Sequence, residues 1–433
     1  MANMSAQPHV VVVGGGFGGV AAAKGLKNVP VRVTLVDKTN YHLFQPLLYQ
    51  VATGILEPGT ITTPIRAMFR GQKNVDVRMA EVTGIDKDRR IVELDGGRET
   101  LAYDYLILAT GAHGSYFGHD EWAPLAPSMK TLADAEFLRR RIISALELAD
   151  RTDDPKVRAQ LLTFVLVGAG PTGCGLAGEL AEHFRRMPAE YRNMDPRQAH
   201  IILVEAGPRA LATFSESLSA GAVRKLRSLG VDVRVGKAVE HVDADSVIIA
   251  GERVPTCTVL WTAGVAASDA GHWLGVETDR AGRVVVGPEL SPAGYPEVFV
   301  VGDTAHIEND GKQLPGVAQV ALQSGKHAAH SIRAHVLHQP PPSAFSYFDK
   351  GNMATIAFSY AIMEKGKMKV GGWLGKAGWT FIHILYLGRA EGQLMLCMQW
   401  IFGLMLGRSG SRYIDTPAVE PPVVEPGAKS GAR

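Results

Sequence analysis

One pattern occurs twice in this chain and limits what it can fold into: a β-branched run, a Gly-x-Gly-x-x-Gly turn, then an Ala/Leu-rich stretch of helical character. Residues Pro8–Leu26 read PHVVVVGGGFGGVAAAKGL, and Leu161–Leu180 read LLTFVLVGAGPTGCGLAGEL. Each copy is followed by a second strand-like run that ends in an acid, VRVTLVD at Asp37 and HIILVE at Glu205. A glycine turn of this kind is weak evidence alone. The order strand, glycine turn, helix, strand, acid is that of a dinucleotide-binding βαβ unit. The expected fold is therefore α/β, with two Rossmann-like dinucleotide-binding domains.

The physical roles repeat in the two copies. Gly14 and Gly168 make the tight turn, Gly16 and Gly170 let the backbone approach a pyrophosphate, and Gly19 and Gly173 let the helix pack closely. Phosphates then rest on the helix N-terminus, where free N–H groups and the dipole favour negative charge. Phe17 and Gly18 complete the first cradle with Asp37 and the adjoining Lys38; Pro171 and Thr172 complete the second. Asp37 and Glu205 are placed to accept from ribose hydroxyls. A carboxylate at Glu205 repels a 2′-phosphate, which predicts NADH over NADPH, while Arg209 nearby works against that preference. Three further strand ends carry small residues that let a dinucleotide cross the sheet edge: Thr110-Gly111, Thr262-Ala263-Gly264 and Gly302-Asp303.

Composition narrows the class. Of 433 residues 46% are hydrophobic and 20% charged, which excludes a disordered chain. The net charge of +2 is too small for a general nucleic-acid binder. Cys174, Cys257 and Cys397 lie far apart, so neither a disulfide framework nor a cysteine metal site is expected, and the chain reads as intracellular. The N-terminus carries no signal-peptide pattern. The expected organisation is a discontinuous first nucleotide domain (1–127 and 285–344), a connecting helix (128–159), a second nucleotide domain (160–284), a C-terminal segment (345–414) and a disordered tail (415–433).

That C-terminal segment is basic. From Phe345 to Ile414 there are eight Lys/Arg against three Asp/Glu. Residues Trp379–Leu406 are strongly apolar but interrupted by Arg389 and Glu391, and the longer run, Leu394–Leu406, has 13 residues. This is too short for roughly 30 Å of hydrocarbon at about 1.5 Å per residue. Trp373, Trp379, Tyr386 and Trp400 are candidates for the membrane interface. Lys365, Lys367, Lys369, Lys376, Arg389, Arg408 and Arg412 are candidates for anionic headgroups. Two amphipathic helices lying in the bilayer surface are expected; a dimer interface or core helices are the alternative, and a homodimer is compatible with both.

Three stretches then carry a resemblance: TNYHLFQPLLYQVATG (Thr39–Gly54), GVAQVALQSGKHAA (Gly316–Ala329) and DKGNMATI (Asp349–Ile356). With the double fold they make nearly all of residues 8–414 similar to type II NADH dehydrogenases, the single-subunit NADH:quinone oxidoreductases. The resemblance implies FAD in the first fold, NADH in the second, and a membrane quinone as acceptor. It also implies electron transfer without proton pumping, and peripheral attachment to the cytoplasmic side of the cell membrane. The A-Q-x-A-x-Q pattern of that family's quinone site is met by Ala318, Gln319, Ala321 and Gln323, with Ala318 and Gln319 also beside the flavin. On a predicted helix over Val317–His335 the two glutamines share a face, where they can donate to quinone carbonyls without charging the pocket. The helix N-terminus would favour the anionic flavin edge.

One position departs from the family, which usually carries Glu two residues after the third glycine of the second motif. This chain has Gly175 there, and Glu179, one turn later, is the candidate replacement. His327, His330 and His335 are read as surface or packing residues. A disulfide reductase is excluded because Thr39–Gly54 holds no cysteine pair. A sulfide:quinone oxidoreductase-like enzyme is poorly supported for want of cysteines. An NADH-sensing flavoprotein with a partner-binding C-terminal segment is the alternative from another class.

Overall fold

The computed structural model describes residues 7–187, 191–406 and 413–414. The expected disordered tail and Arg408 and Arg412 lie outside the described residues. The chain divides into two compact units: Met1–Leu43, Thr62–His113 and Val265–Lys350 form the first; Phe44–Ile61, Gly114–Gly264 and Gly351–Arg433 form the second.

In chain order, the first unit begins with β1 (His9–Val13), α1 (Phe17–Gly25) and β2 (Arg32–Asp37). The second contributes α2 (Leu48–Ala52), and the first resumes with β3 (Val75–Met79) and β4 (Tyr105–Leu108). The second then runs through α3 (Leu132–Arg151), β5 (Thr163–Val167), α4 (Pro171–Arg186), β6 (His200–Glu205), β7 (Asp232–Val235) and β8 (Thr258–Trp261). β9 (Val298–Val300) and α5 (Ala318–Val336) return to the first unit. The second closes with β10 (Asn352–Ala357), β11 (Tyr360–Lys365), β12 (Met368–Gly372), α6 (Trp373–Tyr386) and α7 (Ala390–Leu406).

The first sheet has the order β9-β4-β1-β2-β3, all parallel, with His9 opposite Arg32 and Val10 opposite Tyr105. The second has the order β7-β6-β5-β8, again parallel. β1 and β5 lie central and every residue of each is buried. This is why both read as unbroken apolar runs rather than alternating ones. Where β1 and β5 end, the neighbouring strand order turns, which opens a crevice at the carboxyl edge of each sheet.

The unit boundaries differ from the expected ones in four places; residues 44–61 group with the second unit and 345–350 with the first. Residues 265–284 group with the first unit, because Val284 pairs with Ala305 and Ala270 and Leu274 enter that unit's core. Residues 114–127 group with the second, where Tyr116 and Trp122 pack on Trp261.

Candidate functional site

The two glycine turns match bond for bond. Gly14 N donates to Val36 O at 2.8 Å, and Gly168 N donates to Val204 O at 2.8 Å. Gly14 and Gly168 have φ of +104° and +100°, a backbone region closed to most side chains. A Cβ on Gly19 would lie 1.8 Å from Gly14 O, and one on Gly173 would lie 1.9 Å from Gly168 O. Each helix therefore starts directly against its own turn. The middle glycines differ: a Cβ on Gly16 or Gly170 would meet nothing within 4 Å. That open flank is where a pyrophosphate can reach the helix N-terminus, beside exposed Pro171 and Thr172 in the second copy and part-exposed Phe17 in the first.

The two acids also play one role. Asp37 Oδ2 accepts from Gly15 N at 2.6 Å, and its Oδ1 accepts from Thr39 N at 2.7 Å. Glu205 Oε2 accepts from Ala169 N at 2.8 Å, and its Oε1 accepts from Gly207 N at 2.8 Å. Each carboxylate thus braces its glycine turn; Asp37 Oδ1 also accepts from Thr39 Oγ1 at 2.8 Å, while Asp37 Oδ2 and both Glu205 oxygens keep a further lone pair for a ribose hydroxyl. Lys38 is exposed. Arg209 donates to Phe214 O at 2.7 Å and to Ala212 O at 2.9 Å, so its guanidinium is engaged with backbone carbonyls. Thr262 Oγ1 donates to Val167 O and Gly168 O, both at 2.9 Å, and pins the second turn to β8; Ala263 lies against Gly168. A Cβ on Gly264 would come within 2.6 Å of the Phe117 ring.

In the first unit, Gly111 N donates to Thr304 Oγ1 at 2.7 Å, which joins Thr110-Gly111 to the turn that carries Asp303. Gly302 N donates to the buried Ser324 Oγ of α5 at 3.1 Å. A Cβ on Gly316 would lie 3.2 Å from the Asp303 carboxyl carbon. Ala318 opens α5 after Val317 in extended conformation. α5 packs on α1 through small residues: a Cβ on Gly325 would sit 2.2 Å from Gly18 O. Gln319 and Gln323 share a face as expected, but their amides are engaged within the chain. Gln323 Oε1 accepts from Phe348 N and its Nε2 donates to Phe348 O, both at 3.0 Å; Gln319 Oε1 accepts from Lys350 N at 3.3 Å. Of the helix histidines, His335 stacks on Tyr105 and His327 meets Phe345 edge-on.

The second unit holds a buried polar cluster that sequence reasoning saw only in part. Glu179 of α4 accepts from Gln50 Nε2 at 2.8 Å, and Gln50 Oε1 accepts from Trp400 Nε1 at 2.9 Å. Burial pushes the Glu179 carboxyl up to about 7, against the pull of the Lys376 charge. Tyr49 is raised too, by burial and by Glu179. Among the described residues Glu179 Oε2 has no hydrogen-bond partner, and a cavity of about 40 Å³ lies beside it, lined by Glu182, His183, Arg186, Phe358 and Gln399 among others. This is room for a water. At Gly175 a Cβ would already be 3.2 Å from Thr355 O, so a glutamate there would meet β10; the carboxyl of this helix enters the interior one turn later. Tyr49 and Gln50 lie in the Thr39–Gly54 motif, which signalled them without assigning a role.

Three expectations for the C-terminal segment need correction. Lys376 donates to Thr355 Oγ1 at 3.1 Å and lies 4.3 Å from the Trp379 ring centroid, and burial lowers its pKa; it serves the interior, not headgroups. Trp379 (2% exposed) and Trp400 (9% exposed) pack on each other in the core instead of lying at an interface. Trp373, Phe381, Leu385, Leu394, Ile401 and Phe402 are among the exposed apolar residues, so each helix has one buried stripe and one open face. No helix among the described residues is long and apolar enough to cross a membrane. Cys174 and Cys257 are buried, and burial raises both thiols, Cys257 to about 11.

The two open-flanked glycine turns, each braced by an acid, fit the pyrophosphate and ribose of two dinucleotides. Residues 8–325 match the family model for pyridine nucleotide-disulphide oxidoreductases. The chain is 42% identical over 426 residues to the type II NADH:quinone oxidoreductase Ndh of Mycobacterium tuberculosis, covering 94% of this chain and 91% of that one. It is 41% identical to NdhA of the same organism, covering 92% and 91%. Among solved structures, NDH2 of Plasmodium falciparum in complex with NADH has the same fold, with a TM-score of 0.86 at 19% identity over 94% of this chain and 100% of that one. The sulfide:quinone oxidoreductase of Aquifex aeolicus shares the fold at a TM-score of 0.71 and 18% identity, over 93% and 96%. With paired nucleotide cradles, and with relatives above 40% identity over nearly its whole length, the chain belongs to the type II NADH:quinone oxidoreductases.

Proposed function

We propose that this protein oxidises NADH and passes two electrons to a membrane quinone, with FAD in the first unit as carrier. The duplicated glycine turn carries this reading: two braced cradles in one chain serve one resident dinucleotide and one that exchanges. FAD held in the first unit would supply a two-electron carrier, able to take a hydride from NADH and to pass two electrons to the quinone. The chain's own residues bind and orient. Gly14, Gly16, Gly18, Gly19, Asp37, Thr110, Gly111, Asp303 and Ala318 hold FAD. Gly168, Gly170, Gly173, Glu205 and Thr262 to Gly264 hold NADH, and the engaged Arg209 leaves Glu205 to disfavour a 2′-phosphate.

The acceptor end is assigned to the Gln319–Gln323 face of α5. Glu179, buried and biased toward its protonated form, is assigned the task of holding a proton in the place of the missing glutamate at Gly175. The open faces of α6 and α7, with exposed Lys365, Lys367, Lys369 and Arg389, are assigned to the bilayer surface on the cytoplasmic side, in a homodimer. Anaerobic stopped-flow absorbance of the FAD-loaded protein tests the core of this reading. Rapid bleaching with NADH and rapid recovery with a short-chain quinone are expected; bleaching without recovery would mean another acceptor.

A further inference from the structure

In the second unit, the loop that follows the acid of β6 is closed by its own arginine. Ala210, Leu211 and Phe214 are buried, and Leu211 takes a left-handed φ of +51° that turns the chain back. Leu211 N donates to Ala169 O at 2.8 Å, on the same residue whose N–H donates to Glu205 Oε2. The turn brings two carbonyls onto one guanidinium: Arg209 Nη1 donates to Phe214 O at 2.7 Å, and Nη2 to Ala212 O at 2.9 Å. The other end of the Phe214–Ser215 peptide is also held. Ser215, which precedes the helix Glu216–Ser228, donates its N–H to Glu364 Oε2 of β11 at 2.8 Å. Lys369, opposite Glu364 on β12, lies 3.8 Å from the other carboxylate oxygen. A trans peptide is flat, and its C=O and N–H point opposite ways. One peptide group therefore carries a cation on its oxygen and an anion on its hydrogen. Each charge-assisted bond polarises the group in favour of the other.

Resting on the reading that Glu205 meets the ribose of NADH in the second unit, we propose that Arg209 and Glu364 together set the choice between NADH and NADPH. Arg209 stands four residues beyond the acid, in the region where an arginine accommodates a 2′-phosphate in NADP-binding folds of this type. Here the carbonyls of Ala212 and Phe214 take its donors. Glu364 is a positioning residue, which acts through the 214–215 peptide to keep them there. A 2′-phosphate then meets the Glu205 carboxylate without help from this guanidinium. Without Glu364 the peptide is free to rotate, the Phe214 carbonyl leaves Arg209, and the guanidinium regains donors for a phosphate. Selection against NADPH thus has two parts, a carboxylate that repels and an arginine that is withheld.

The test measures binding of NAD+ and NADP+ to FAD-loaded protein by titration calorimetry. The two differ only in the 2′-phosphate, so the ratio of their Kd values reports that group without turnover. Glu364→Ala is expected to lower the NADP+ to NAD+ ratio about tenfold, the worth of one charge-assisted hydrogen bond. Glu364→Gln, whose amide oxygen still accepts from Ser215 N, should keep the wild-type ratio. Ser215→Pro reaches the same peptide from the other side: φ there is −60°, which proline matches, and the N–H is removed with Glu364 in place. It should lower the ratio as Glu364→Ala does. Adding Arg209→Ala to either variant should restore the wild-type ratio, and Arg209→Ala alone should leave it unchanged. The proposal is overturned if Ser215→Pro and Glu364→Ala leave the ratio where it was. It is equally overturned if Arg209→Ala alone weakens NADP+ selectively, because the guanidinium would then already reach the phosphate. Glu205→Ala separates the underlying reading: a ratio unmoved by that variant would remove the ribose role of Glu205 itself.

Discussion

Gln50 donates its side-chain amide to the Glu179 carboxylate at 2.8 Å, and each residue is only 1% exposed. A carboxyl so enclosed favours its neutral form, and the groups that face it decide how far. Tyr49 and Gln50 approach from α2, Glu182 from its own helix and Lys376 from α6; Lys376 and the Gln50 and Tyr49 hydrogen bonds favour the charged form, Glu182 opposes it.

The sign of the resulting pH dependence follows. The folded-state value, about 7, lies above the ordinary 4.5. The folded protein therefore binds more protons than the unfolded chain across that window, and Glu179 costs stability as pH rises through it. Glu179→Gln removes a cost of up to roughly 3 kcal/mol. The melting temperature of the variant relative to wild type is expected to climb between about pH 5 and pH 8. Parallel melting curves across that range would show that Glu179 does not titrate there. Lys376→Met should move the titration to still higher pH.

Gly325→Ala drives a methyl group to within 2.2 Å of Gly18 O, where α5 crosses α1. Backbone cannot yield as a side chain can, so a loss of about 2 kcal/mol or more is expected. Because Gly18 belongs to the first cradle, the flavin-to-protein absorbance ratio after gel filtration should fall as well. Gly71→Ala is the control: its Cβ would meet nothing within 4 Å, and a change within about 0.5 kcal/mol is expected.

Glu205→Ala removes both the brace on Ala169 N and the charge that disfavours a 2′-phosphate. The KM for NADH is expected to rise more than the KM for NADPH, measured under steady state with one quinone. Equal rises would leave Glu205 with the brace alone. Losing two charge-assisted bonds should also cost about 2–3 kcal/mol of stability.

Phe381→Glu with Leu394→Glu places two charges on the open faces of α6 and α7, where the native residues are 63% and 67% exposed. Binding to anionic liposomes should fall at least tenfold in a sedimentation assay, since moving one charge into the interface costs on the order of 1–3 kcal/mol. Retained binding would move the attachment elsewhere. Deleting Leu394–Arg433 is a less clean test, because it also removes Leu396, Trp400 and the Gln399 bond to Thr60 from the second unit.

Much of this protein was legible along the chain because its main signals are local. A glycine turn needs positive φ and missing Cβ atoms within six residues, and a central parallel strand needs an unbroken apolar run. Both conditions are written into Pro8–Leu26 and Leu161–Leu180, as are the helix Ala318–Val336 and the two C-terminal helices. The roles decided by distant partners were not legible. Lys376 and Trp400 look like interface residues in an apolar, basic segment, and only the packing of α6 and α7 turns them toward Glu179 and Gln50. Gln319 and Gln323 have the right spacing for two ligand-facing amides, yet the Gln323 amide and the Gln319 carbonyl oxygen already bond the backbone of Phe348 and Lys350. The unit boundaries moved for the same reason, as Trp261 gathers Tyr116 and Trp122 from over a hundred residues away. Sequence alone determined which backbone can bind a dinucleotide, because that depends on residues a few positions apart. Tertiary structure decided which polar side chains are buried together, because burial depends on what the rest of the chain brings against them.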